Sequence, residues 1–292
     1  MFRPFCYNFV KSERVFQMSC RFRLAETAVL AAGVVVFAAG LSWADDPSPV
    51  ARIGTTTYTS LVSAIQGSQA GDVIELTADV EEALADTAQV SFAPIGHDLT
   101  ITSADGVRRT IYATNTKGYS FNVTAGTLTF SNVVLRSASR STGSYDMYLH
   151  ATGSGTKVVF GEDFLMSGIT NAGGHAVCYW ESFATLEMKP GAEVRDLRAN
   201  YGHLRFSKAT FDFTGGLIAD CYGNSGEGSP VYLYGGATLN MSGGTITGCR
   251  CAKSNVAVGA VFLHNSSVNT LNLSGGAITN NVDGDYGCAG VF

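Results

Sequence analysis

Charge is what this 292-residue chain has least of: Asp, Glu, Lys and Arg together make up 15% of it. Proline is sparse at 6 residues, tryptophan sparser at 2. No cluster of Lys or Arg occurs after Arg23, and the formal net charge is −5. A phosphate-binding electrostatic footprint is therefore missing, which excludes nucleic acid as an expected partner. Helical periodicity is almost absent between residues 72 and 292, which argues against helical repeat arrays. Low charge does not make the chain disordered, because 46% of its residues are hydrophobic. What it has in quantity is glycine, 34 residues.

The longest uncharged apolar run is Thr27–Leu41, preceded by Arg21 and Arg23 and followed by Ser42-Trp43-Ala44. A basic start, an apolar stretch and a small-x-small end form the pattern of a secretory signal peptide. The run is too short for a membrane span of roughly 20 residues. We therefore expect an N-terminal extension and signal peptide over 1–44, cleavage after Ala44, and a secreted or cell-surface mature chain without a membrane span. The start codon is Met1 or Met18. Five cysteines remain after residue 44, namely Cys178, Cys221, Cys249, Cys251 and Cys288, and their odd number leaves at least one unpaired.

The rest of the chain repeats itself. LNMSGGTITGC at 239–249 returns as LNLSGGAITNN at 271–281. The same apolar-x-apolar triplet starts at Ile74, Leu99, Leu128, Val158, Leu186, Phe211, Leu239 and Leu271, with spacings of 25 to 32 residues. A second series, Val177, Leu204, Val231, Val261 and Val291, runs out of phase at 27 to 30 residues. A fixed period of this size marks a solenoid, and alternation over three to five positions marks strands with one buried face. One unit holds about three short strands at roughly 3.3 Å per residue. The expected fold is all-β: a right-handed parallel β-helix of about eight coils over residues 45–292, continuing past its last coil or covered there by a partner. Each winding buries its apolar side chains only against the windings above and below. In LNMSGGTITGC, Leu239, Met241 and Ile246 then point inward. Gly215, Gly243 and Gly275 open the glycine pairs that turn the corners. TSLVSAIQGS, residues 59–68, reads as a capping helix with Thr59 as N-cap and Leu61, Ala64 and Ile65 on one face.

YTSLVSAIQGSQAGDVIEL, the triplets, SGGTITGC and SGGAITNN together resemble secreted bacterial β-helix proteins of the pectate-lyase-like superfold. The GGAI-type units also resemble polymorphic outer-membrane adhesin passengers. The resemblance implies an architecture that hosts lyases, hydrolases and adhesins alike. The hydrolases of this superfold use Gly-His-Gly and Arg-Ile-Lys elements. Here the glycine–histidine pairs are followed by Asp98, Ala176 and Leu204, and Arg-Ile-Lys does not occur.

Candidate chemistry is thin. Glu187 and Asp212, middle residues of adjacent triplets, are the weak candidates for an acid/base pair or a Ca²⁺ site on an outward column about 4.8 Å per step. No cofactor is otherwise expected. Cys221 and Cys249 occupy one place in successive units, which suits a disulfide or a buried thiol ladder. Asn281, next in line, suggests an inward asparagine ladder. Tyr232, Phe262 and Phe292 form a column that is exposed in one strand register and core in the other. With Tyr179, Trp180 and Tyr201 they are candidate carbohydrate platforms. The histidines show no triad or metal spacing and read as loop and surface residues. The expected function is an adhesin or carbohydrate-binding passenger that meets a surface glycan or host component without catalysis. A polysaccharide lyase or glycosidase acting on acidic glycans is the alternative, and a purely structural stalk the third.

Overall fold

The computed structural model describes residues 48–84, 94–139, 147–171, 176–251, 259–283 and 290–291. The expected signal peptide, Cys288 and Phe292 lie outside the described residues. Ser48–Phe292 forms one unit, and its apolar-polar alternation becomes a parallel β-solenoid of about six turns. The expectation of eight came from counting triplets. Eight parallel strands do lie in the first sheet, while among the described residues the second has six strands, extended at its two ends by the isolated bridges Ile95–Val123 and Val261–Val291.

One winding visits four sheets, not three strands as expected. Thr185–Met188 lies in the first sheet, Glu193–Arg195 in the third, Arg198–Tyr201 in the fourth and Leu204–Ser207 in the second. Thr210–Phe213 then returns to the first sheet beside its predecessor, with Leu186 opposite Phe211. The extra sheet is built from strands as short as two residues, Thr170–Asn171 for example, which leave no alternation to read.

The interior file is continuous. Leu99, Leu128, Val158, Leu186, Phe211, Leu239 and Leu271 pair in that order. All but the first and last are 0% exposed, Leu99 is 2%, and Leu271 is half-buried. Each such side chain contributes roughly 2 kcal/mol by leaving water, and only its neighbours above and below make that possible. Two registers differ from expectation. Ile74 pairs with Ile101, not Leu99, so Val73 and not Glu75 heads the outward file. In the second sheet Leu204 pairs with Cys178, one residue beyond Val177. Ile74 lies two positions from Asp72, the actual partner of Leu99, and Val177 lies one from Cys178; apolar periodicity alone does not find either partner.

Corners fix the windings. Gly168, Asp196, Asp220, Gly248 and Asn280 all sit at φ between 53° and 67° where the third sheet meets the fourth. Glycine, asparagine and aspartate tolerate this left-handed region best, which explains their choice at the bend. The next residues, Ile169, Leu197, Cys221, Cys249 and Asn281, all turn inward and are buried.

The cap is more than a helix. The helix α1 spans Leu61–Gly67 with Ser60, not Thr59, as its N-cap, because Ser60 Oγ accepts from the Ser63 N–H at 3.0 Å. Glu82 accepts from the Val62 N–H at 3.0 Å, satisfying another free donor of the first turn. Leu61, Ala64 and Ile65 join the core as their spacing suggests. Ahead of the helix, β1 (Ala51–Ile53) and β2 (Thr56–Tyr58) form a hairpin, and β1 pairs antiparallel with β3 (Asp72–Leu76). Arg52 Nε and Glu75 Oε2 tie that junction at 2.7 Å.

Candidate functional site

The second sheet carries the densest outward chemistry. Along Cys178–Glu181 and Leu204–Ser207 the even-odd pattern puts Cys178, Trp180, Leu204 and Phe206 inside. Tyr179, Glu181, Arg205 and Ser207 therefore face out. Parallel pairing in register stacks these positions into two files. One runs Asn122, His150, Tyr179, Arg205, Tyr232, Phe262. The other runs Thr152, Glu181, Ser207, Tyr234.

At one end His150 is held at both nitrogens: Nδ1 lies 2.9 Å from Asn122 Oδ1 and Nε2 lies 3.1 Å from Glu181 Oε1. Tyr119 stacks on the imidazole, with ring centres 4.5 Å apart. In the middle the Arg205 guanidinium lies 5.7 Å from the Tyr179 ring centre, 5.0 Å from Tyr232 and 5.4 Å from Tyr234. A guanidinium over aromatic faces is held electrostatically by the ring quadrupoles. At the other end Tyr232 and Phe262 meet at 5.2 Å, with His264 beside Tyr232 at 5.9 Å and Tyr234 at 5.5 Å. Tyr232 Oη donates to Glu227 Oε2 at 3.1 Å. Burial raises the Tyr232 phenol far above its ordinary range, and the Glu227 charge adds to this; burial raises Tyr179 as well.

The candidate residues separate on this map. Tyr232 and Phe262 face outward as one register allows, yet they are 1% and 8% exposed. They form a small outer cluster with Tyr234, walled by Arg205 and His264, and are not open platforms. Trp180 points inward and is wholly buried against Phe206, so it is no surface platform. Tyr179 and Tyr234 are half-buried and Tyr201 is exposed, on the fourth sheet opposite Glu227.

Glu187 and Asp212 are adjacent but on the first sheet, away from this face. Lys157 Nζ lies 2.5 Å from Glu187, Lys189 Nζ 3.6 Å, and the Lys157 hydrogen bond holds the carboxyl below its usual range. A carboxylate kept ionised in this way is a poor general acid. Asp212 accepts from Asn240 Nδ2, and Asn240 from Asn272 Nδ2, both at 2.8 Å. The amide ladder is therefore on the outside. Asn281, where an inward ladder was expected, serves backbone instead: its Oδ1 accepts from the Cys249 N–H and its Nδ2 donates to the Ile246 carbonyl. Cys221 and Cys249 are free buried thiols with no disulfide, each directed at the carbonyl two residues back. Cβ atoms built on Gly215, Gly243 and Gly275 would strike Pro190, Thr214 and Ser242 within 2.6 Å. Among the described residues no group of three His, Cys, Asp or Glu gathers as a metal site, and no helix is long and apolar enough to cross a membrane.

No family model, curated protein or solved structure matches the chain. Its chemistry rests on its own side chains. Asn122, His150, Glu181, Arg205, Glu227 and Tyr234 carry no motif in the sequence. One position after each inward residue of the second series lies the outward file, once Cys178 replaces Val177 as the partner of Leu204.

Two histidines also correct the reading of that residue type as loop and surface. His150 is 7% exposed and His203 0%. His203 Nδ1 and Nε2 each face a carbonyl at 3.1 Å, from Ser229 and Tyr222. Burial pushes both imidazoles below the ordinary 6.5, despite partners that favour the charged form. The unfolded chain therefore takes up these protons first as pH falls. The stabilisation is present above about pH 6.5 and is lost below it, by up to about 1.4 kcal/mol per pH unit for each histidine. Urea unfolding at pH 7.5 and 5.5 checks this. The acid loss is expected to shrink in His150→Gln, and an unchanged midpoint between the two pH values would refute it.

Proposed function

We propose that this chain is a secreted or cell-surface β-helix protein that binds a surface glycan along the outer face of its second sheet, without catalysis. The observation that carries the reading is the Arg205 guanidinium set among Tyr179, Tyr232 and Tyr234, with Glu181, Ser207 and Glu227 at its margins. Tyr179 and Tyr234 are half-buried and offer aromatic faces to the apolar C–H surfaces of a sugar, while the neighbouring polar groups can pair with its hydroxyls, which is what saccharide recognition requires. The windings repeat at about 4.8 Å, comparable with one pyranose unit of an extended chain, so successive sugars can meet successive windings. Against chemistry stand the two occupied nitrogens of His150 and the ion-paired state of Glu187. The resemblance to β-helix adhesin passengers and the signal-peptide pattern support an outside location.

A glycan array probed with the chain is the test. Retention of at least one glycan series is expected, with Tyr179→Ala weakening it at least tenfold while the unfolding midpoint holds. Unsaturated or new reducing ends on the retained glycans would replace this reading with lyase or glycosidase action. Retention of nothing would leave a structural stalk.

A further inference from the structure

We infer that the ligand of this face is anionic, and that Arg205 is the subsite for its carboxylate or sulfate group. The inference rests on the glycan-binding reading and narrows its ligand class. Among the described residues Arg205 forms no ion pair, although the six pairs present engage other cations. Its Nε is buried without an acceptor. Of the carboxylates on this face, Glu181 lies 3.1 Å from His150 Nε2 and Glu227 accepts from the Tyr232 hydroxyl, and neither is ion-paired with Arg205. A guanidinium with no carboxylate partner, and one buried N–H unsatisfied, is an uncommon and costly arrangement in a protein alone.

The surroundings say how the group would be filled. Tyr179 comes from the strand on one side of Arg205, Tyr232 and Tyr234 from the strand on the other, and their ring centres lie 5.0–5.7 Å from the guanidinium carbon. Its five N–H donors lie in the plane, at the edge. Nε is buried, so an oxyanion meets the Nη1 and Nη2 groups, whose two N–H bonds can run parallel to it in a way that a lysine ammonium would not reproduce. Gly202 completes the wall: a Cβ there would lie 2.8 Å from the Tyr232 Cβ, so a side chain at 202 would displace the ring that supports Arg205. Because the chain as a whole carries −5, attraction for an anionic polymer must be local to such a cation.

The experiment is calorimetric titration of the full chain with four oligosaccharide series of equal length. Hyaluronan carries carboxylates only, keratan sulfate carries sulfates only, chondroitin sulfate carries both, and chitin oligosaccharides are neutral. At least one anionic series is expected to bind ten times or more tighter than chitin, with that preference falling as salt rises. The two single-anion series show whether carboxylate or sulfate is the group taken. Arg205→Gln and Arg205→Lys are both expected to bring the preference below threefold, with Tyr179→Ala weakening all series together. If wild-type protein binds chitin as well as the anionic series, or if both Arg205 variants keep the preference, the inference is overturned while glycan binding stands. If it binds none of them, and the glycan array is likewise blank, the glycan reading itself fails. The comparison among ligands on unaltered protein holds even where an Arg205 variant does not fold.

Discussion

Trp180→Ala is expected to lower the free energy of unfolding by about 4 kcal/mol, within the roughly 3–5 kcal/mol that loss of a large buried aromatic costs. The indole is 0% exposed, stacked on Phe206 at 4.9 Å and 12° and set edge-on to Phe160 at 6.2 Å. Phe206 in turn stacks on Phe211 and Phe211 on Phe213, so the cavity opens within a run of rings spanning several windings. No distant part of a solenoid can close over it, since each winding touches only its neighbours. The urea midpoint multiplied by the slope of the transition measures the loss. Hydrogen exchange should quicken first in Leu149–Thr152 and Leu204–Ser207, the strands on either side. Its neighbour Tyr179 provides the contrast, because it faces out and its removal should affect binding. A cost below about 1 kcal/mol for Trp180→Ala, well under the usual range, together with weakened glycan binding would mean that this strand is turned the other way.

Gly243→Ala is expected to cost about 3 kcal/mol for a single added methyl, the upper part of what overpacking usually costs. The new Cβ would lie 2.3 Å from the Thr214 carbonyl oxygen and 3.1 Å from its carbon. Both belong to the backbone of the winding beneath, which cannot rotate away as a side chain can. Gly96→Ala is the control: it adds the same atom where the nearest neighbour is 4.0 Å away, and is expected to stay within about 0.5 kcal/mol of the parent. Equal midpoints for the two variants would show that the windings do not approach each other as closely as described. The two glycines of the pair have separate duties. Gly243 allows the approach, while Gly244, at φ 76°, also supplies the left-handed turn.

What the sequence made legible follows from how many windings repeat it. Leu128, Leu186, Leu239 and their partners recur with one chemical character, so the inward file could be traced without coordinates. Where the character drifts, tracing slips. The residue opposite Leu99 is Asp72, which is polar, so apolar character points to Ile74 two residues later; only hydrogen-bond register reveals the offset. The outer face of the second sheet was harder still. Asn122, His150, Tyr179, Arg205, Tyr232 and Phe262 share a position but, the two tyrosines apart, no residue type, since outward positions are not held to one character by a common core. Tyr232 and Phe262 show a further limit. Alternation left two registers open for them; the structure takes the outward one, yet neighbours on the same face cover them, and burial by lateral contact leaves no mark on a period of two. The buried histidines were missed for the same reason: His203 is enclosed by carbonyls from other windings, Ser229 among them.

The left-handed corners at Gly168, Asp196, Asp220, Gly248 and Asn280 have a consequence for length. Because each of these five windings leaves the bend in the same direction, the segment between any two of the corners is an interchangeable module. Excising or duplicating one such module returns the chain to an equivalent point, and the flanking strands meet with like faces together. A change within a loop is absorbed, as the unequal spacings of 25 to 32 residues show, whereas one inside a strand would turn its remaining side chains to the opposite face. The molecule can therefore grow or shrink only in discrete steps, and its reach along the axis is set by how many it contains.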